Sequence, residues 1–217
     1  MELKGKKITF LGDSITEGCG ASSKENNFVE ILKRNCELKE AYNHGIGGTR
    51  IAKQIQLNEN ETEDRNFCSR VAELEEDADV VVVFGGTNDY CHGDVAFGTF
   101  ADRTPDTFYG ACHTLMTSLI EKYPSKPIVF ITPLHRVDEG GSFWRWVAKN
   151  ISLKQYVDAI KEVAEWYSIP VLDLYARGGM QPNVPAQNEL YFTDGLHPND
   201  TGYALIAEKL EKFLKLL

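Results

Sequence analysis

The longest uninterrupted aliphatic run in the chain is Val80-Val81-Val82-Val83, extended by Phe84. No polar residue alternates through it, so it predicts a strand at 80–85 buried on both faces. Four more short apolar stretches predict strands at 7–11, 40–43, 128–132 and 171–174. Between them the apolar residues fall at helical spacing. Phe28, Val29, Ile31 and Leu32 predict a helix near 26–38. Leu115, Met116, Leu119 and Ile120 predict one over 107–123, with Pro124 as its stop. Val157, Ile160, Val163, Ala164 and Tyr167 predict one over 153–167, and Tyr203, Leu205, Ile206, Leu210, Phe213 and Leu214 one near 200–216. These stripes read as core-packing faces.

Strands alternating with helices imply a parallel sheet covered on both sides. Right-handed crossovers make it a three-layer α/β/α sandwich. Ligands in such sheets sit beyond the carboxyl ends of the strands. No linker, repeat or low-complexity segment interrupts the pattern, so residues 1–217 read as one domain. Long irregular stretches are expected only at 133–146 and 175–192.

Composition narrows the partners. The chain is 42% apolar and 25% charged, ordinary for a globular protein. Its formal net charge of −9, with no Lys/Arg block, argues against a nucleic-acid partner. The run at 80–84 is far too short to span a bilayer, so no membrane insertion is expected. The run at 8–11 is too short for a secretory signal. Five cysteines, an odd number without C-x-x-C spacing, read as free thiols in a reducing compartment, and the expected location is cytoplasmic. In that setting the glycosylation-type triplets at Asn60, Asn150 and Asn199 are accidental.

The candidate chemistry lies at strand ends. Ser14 follows the first predicted strand, Gly48 the second and Asn88 the third, while Asp194 and His197 follow the fifth beyond an irregular loop. All fall on the carboxyl side of strands, so the fold brings them to one sheet edge. A serine hydroxyl is a poor nucleophile until a base takes its proton. His197 is the candidate base, and Asp194 can hold its imidazole in the required tautomer. Pro198 keeps His197 out of a helical conformation, Asn199 or Asp200 can cap the last helix, and Gly195 permits a turn between acid and base. Acyl transfer also needs donors for a developing oxyanion. The Ser14 and Gly48 backbone N–H groups and the Asn88 amide are the candidates.

Other residues carry a blander reading. Asp13 reads as a helix cap or loop residue, and Asp89 as a residue ordering its loop. His44 reads as structural rather than as a border of the site. His113 reads as packing or surface, while His92 and His135 follow strand ends where a pocket would lie. His92 with Cys91 and Asp94 lacks a second cluster of ligand spacing, so no metal is expected. There is no G-x-x-x-x-G-K-[ST], the Gly18-Cys19-Gly20 start of a dinucleotide fingerprint is incomplete, and G-x-S-x-G is absent. Phe143-Trp144-Arg145-Trp146 is the segment best suited to contact substrate, through Trp144 and Trp146, with Arg136 placed for an anionic group. The same aromatics equally suit loop packing or a second copy of the chain in a homo-oligomer.

Together these blocks resemble the SGNH hydrolases, also called GDSL esterases/lipases. Gly12-Asp13-Ser14 matches the nucleophile block, with Ile15 in place of the frequent Leu. Asn43-x-x-x-x-Gly48 matches the oxyanion glycine, although Gly47 is also a candidate. Gly86-Thr87-Asn88-Asp89 matches the oxyanion asparagine, and Asp194-Gly195-Leu196-His197-Pro198-Asn199 the acid and base. The resemblance extends over residues 7–210. It implies a flavodoxin-like five-stranded sheet of order 2-1-3-4-5, a Ser14–His197–Asp194 triad, no metal or other cofactor, and a small-molecule ester as substrate. A short acyl ester, such as an acetylated carbohydrate, is favoured. Lysophospholipase, thioesterase or acyltransferase activity on the same machinery, and a non-catalytic ligand-binding module, are the alternatives.

Overall fold

The computed structural model describes residues 1–57, 59, 61–137, 139 and 151–217. Its centre is a parallel sheet of β1 (Lys7–Gly12), β2 (Glu40–Gly45), β3 (Val80–Phe84), β4 (Ile128–Ile131) and β5 (Val171–Leu172) in the order β2-β1-β3-β4-β5. The expected order and strand number hold. β1 pairs with β2 and β3 on either side, Ile8 standing opposite Ala41 and Val80. Every residue of β3 is buried, as its unbroken apolar run requires.

The period of two along the strands divides the core into halves. Leu11, Val81, Val83 and Phe130 face one way, under α5 (Phe108–Lys122) and α6 (Leu153–Trp166). Ile8, Phe10, Val80, Val82 and Phe84 face the other, under α2 (Phe28–Asn35) and α9 (Asp200–Leu216). Phe28 is fully buried and meets the edges of Phe10 and Phe84 while stacking on Tyr203. Burying such a ring contributes about 2–3 kcal/mol.

The long helices start where local capping chemistry dictates. The side chains of Asn27, Thr107, Ser152 and Asn199 each accept a backbone N–H of the first turn, and Ser152 with Gln155 closes a capping box. The helix expected near 26–38 is shorter, because Asn27 opens it and Glu37 already has a positive φ of 50°.

α1 (Ser14–Glu17) starts where the Asp13 cap reading expects a helix. Four short helices went unpredicted: α3 (Phe67–Arg70), α4 (Thr87–His92), α7 (Leu174–Arg177) and α8 (Pro185–Tyr191). The last two correct the expectation that 175–192 is irregular. Elements of one or two turns carry too few residues for a period to register. Among the described residues no helix is long and apolar enough to cross a membrane.

Candidate active site at the carboxyl edge of the sheet

β1 ends at Gly12, and the chain turns at once into α1. Asp13 is its N-cap, its Oδ1 accepting the Ile15 N–H at 3.0 Å. Ser14 is therefore the first helical residue, whose N–H has no partner within the helix. Its side chain is 7% exposed, and its Oγ lies 2.9 Å from His197 Nε2. His197 Nδ1 lies 2.7 Å from Asp194 Oδ2. An ionised carboxylate only accepts, so Nδ1 carries the ring proton and Nε2 is left to accept from the serine hydroxyl. Asp194 Oδ1 also accepts the backbone N–H groups of His197 (2.7 Å) and Leu196 (3.0 Å). Partial burial pushes the Asp194 carboxyl up, but the His197 N–H, its ring and the Leu196 N–H outweigh it and hold the pKa below the ordinary 3.8.

The loop that presents His197 is fastened at both ends. Thr193 N–H donates to the His197 carbonyl at 2.9 Å, and Val137 N–H to the Gly195 carbonyl at 3.1 Å. Gly195 has φ +79°, and a Cβ there would strike Val137 of the loop after β4. Only glycine lets these two loops meet.

Opposite Ser14 is the turn that follows β2. A Cβ on Gly47 would lie 3.8 Å from Ser14 Cβ, so this turn borders the nucleophile. Gly47 N–H is engaged by Glu17 Oε2 at 2.8 Å, whereas Gly48 N–H donates to no atom among the described residues. Asn43 joins the turn to α1, donating to the Thr16 carbonyl at 2.7 Å and accepting from Gly45 N–H at 2.8 Å. Asn88, in the first turn of α4, gives one amide hydrogen to the Thr49 carbonyl at 3.0 Å, keeping a second. Asp89 accepts Ile51 and Ala52 N–H, each at 2.9 Å, which pins α4 against the 49–52 segment. Asp89 thus orders its loop, as its position suggested.

Two titratable groups lie beneath this edge. Burial pushes the Asp13 carboxyl up to about 7, against the opposing pull of the Ile15 N–H and His197. Arg70, invisible to sequence reasoning, is 2% exposed and donates to the carbonyls of Gly12 and His44 and to Thr49 Oγ1. Nothing in Phe67–Arg70 marks it, because α3 is a single turn.

The remaining candidates separate by their contacts. His44 Nε2 pairs with the Glu75 carboxylate at 3.0 Å, which also accepts Thr9 Oγ1. His92 Nδ1 meets Arg50 Nη1 at 2.9 Å, and Asp94 accepts the Ile55 and Gln56 N–H groups. His135 Nδ1 contacts Glu139 at 2.7 Å with its ring 3.9 Å from that of Tyr175. His113 is buried against Tyr167. Arg136 is 4% exposed, donating to Thr87 Oγ1 at 3.1 Å and Cys91 Sγ at 3.3 Å with its charge over the Tyr90 ring. Its guanidinium thus backs the helix that carries Asn88. Trp144 and Trp146 lie outside the described residues.

The family model for the GDSL-like lipase/acylhydrolase family matches residues 10–205, and the chain belongs to that family. It is accordingly a hydrolase acting on esters. A solved protein from Lactobacillus plantarum is 33% identical, with 98% of each chain covered and a TM-score of 0.84. A lipase/acylhydrolase from Enterococcus faecalis is 25% identical over 97% of this chain and 95% of its own, with a TM-score of 0.65. A structure described as a possible lipase from Chitinophaga pinensis, 22% identical over 97% of this chain and 98% of its own, shares the fold at a TM-score of 0.68. Among curated proteins no match is found.

Proposed function

We propose that this chain is a serine esterase working through an acyl-enzyme. The observation that carries the reading is the continuous relay from Ser14 Oγ to His197 Nε2 (2.9 Å) and from His197 Nδ1 to Asp194 (2.7 Å). Ser14 attacks the ester carbonyl while His197 takes its proton, and Asp194 stabilises the imidazolium that forms. The oxyanion is held by the Ser14 N–H, the Gly48 N–H and the spare hydrogen of the Asn88 amide. The engagement of Gly47 N–H by Glu17 favours Gly48 over Gly47 in this role. His197 then protonates the leaving alcohol, and water, deprotonated by the same ring, releases the acid.

Residues 1–217 act as one hydrolase domain on a small-molecule ester, without a cofactor and in the cytoplasm. The unpaired state of all five cysteines supports that location. The acyl group is short, as in an acetylated carbohydrate. In support, the turn that borders Ser14 carries the side-chain-free Gly47, whose N–H is held by the polar side chain of Glu17.

Hydrolysis of p-nitrophenyl acetate, butyrate and octanoate by wild type and Ser14→Ala tests the reading. Turnover is expected with wild type, falling with acyl length, and absent in Ser14→Ala. Equal rates in the two proteins, or none in either, would overturn it.

A further inference from the structure

The Arg70 guanidinium is as deeply buried as the core phenylalanines and forms no ion pair among the described residues. It stands 5.3 Å over the Phe67 ring. Nη1 donates to the Gly12 carbonyl at 3.2 Å and to Thr49 Oγ1 at 3.1 Å, and Nη2 to the Gly12 carbonyl at 3.3 Å and to the His44 carbonyl. The acceptors belong to three segments: the end of β1 two residues before Ser14, the end of β2, and the turn carrying Gly47 and Gly48. Thr49 Oγ1 in turn donates to the Ile46 carbonyl at 2.6 Å, and Ile46 N–H to the Gly12 carbonyl at 3.1 Å. The planar fork thus closes the turn onto the strand that delivers the nucleophile.

A buried cation without a carboxylate partner is costly to keep. Three neutral acceptors take the hydrogens of both Nη groups but leave its charge unneutralised. Burial lowers its pKa to about 10, so it remains charged at neutral pH. Fixed positive charge in dry surroundings is worth most where negative charge develops during a reaction.

We propose that Arg70 is a positioning residue of the oxyanion hole. Its guanidinium holds the Gly47–Gly48 turn in place against β1 and sets a fixed positive charge behind the oxyanion. The role in catalysis rests on the serine-esterase reading; the clamp on the turn does not.

Two measurements on Arg70→Met and Arg70→Lys test it. In steady-state hydrolysis of p-nitrophenyl acetate, Arg70→Met is expected to lose about 30-fold or more in kcat with KM within about threefold. Arg70→Lys, which keeps the charge but not the fork, should recover part of that loss. In amide hydrogen exchange, both variants should exchange about tenfold faster or more at residues 46–49, while Val81–Val83 stay protected. A kcat within about threefold of wild type in both variants would overturn the catalytic role. Unchanged exchange at 46–49, or an equal rise at Val81–Val83, would overturn the clamp. Should Arg70→Met not fold, Arg70→Lys and Arg70→Gln decide by the same criteria. An inactive wild type whose Ser14 also resists a fluorophosphonate probe would sink the esterase reading, and exchange would still decide the clamp.

Discussion

Gly20 passes so close to His197 that a Cβ on it would lie 3.1 Å from His197 Cβ and 2.5 Å from the Pro198 carbonyl oxygen. Its φ of +91° is one that side-chain-bearing residues rarely adopt. The loop after α1 therefore forms one wall against the loop bearing the base. Tyr203 of α9 anchors that wall from behind through its hydroxyl, which donates to the Cys19 carbonyl at 2.6 Å.

Gly20→Ala adds backbone strain and pushes on His197 together. Strain of about 1–2 kcal/mol corresponds to a Tm loss of about 2–8 °C in a chain of this size. A shift of His197 should also lower kcat by about tenfold or more. Thermal unfolding and kinetics on one preparation check both. A variant that loses Tm but keeps kcat would show that the wall serves stability alone.

Asn88→Ala removes one proposed oxyanion donor. A drop of about 10²–10³ in kcat is expected, with KM little changed, because the donor acts on charge present only in the transition state. The lost bond to the Thr49 carbonyl lowers stability by about 1 kcal/mol, which thermal unfolding separates from the kinetic effect. A rise in KM with kcat intact would assign Asn88 to ground-state binding.

Asp194→Asn keeps the size of the side chain but favours the wrong imidazole tautomer. Activity should fall by about 10³–10⁴ at neutral pH. Ser14 should remain folded in place, so Tm is the control. A loss under tenfold would remove Asp194 from the relay.

Asp13 makes stability depend on pH in an unusual direction for a carboxyl. Its folded pKa of about 7 lies above the ordinary 3.8, so the fold favours its protonated form. That contribution is complete below about pH 4 and is lost as pH rises through about 7. Asn cannot ionise and can still accept the Ile15 N–H. The Tm of Asp13→Asn relative to wild type should therefore climb between about pH 4 and pH 7 and level off above it. A difference that is flat over this window would mean that Asp13 ionises without penalty.

Arg136→Lys addresses the contact expected from sequence with an anionic substrate group. The guanidinium is buried against Thr87, Cys91 and the Tyr90 ring, so the variant should lose about 1–3 kcal/mol of stability while KM for a neutral ester stays within twofold. A KM increase confined to anionic esters would instead establish a substrate contact.

Local signals in the sequence determined the architecture. The unbroken run at Val80–Phe84 named the central strand, and the helical stripes named the covering helices, because burial on two faces or one leaves a periodic trace. The positions of Ser14, Gly48, Asn88, Asp194 and His197 at strand ends were legible because a parallel sheet brings its carboxyl ends together whatever the loops do. What the sequence could not fix depends on contacts between segments far apart in the chain. The approach of Gly20 to His197, the commitment of Gly47 N–H to Glu17, the inward turn of Arg136 and the burial of Arg70 all belong to this class. Short helices and irregular loops have no period, and hydrogen bonds between them arise only once the sheet has brought them together. Tertiary structure alone therefore decided which polar side chains brace the candidate site from within and which donors stay open beside Ser14.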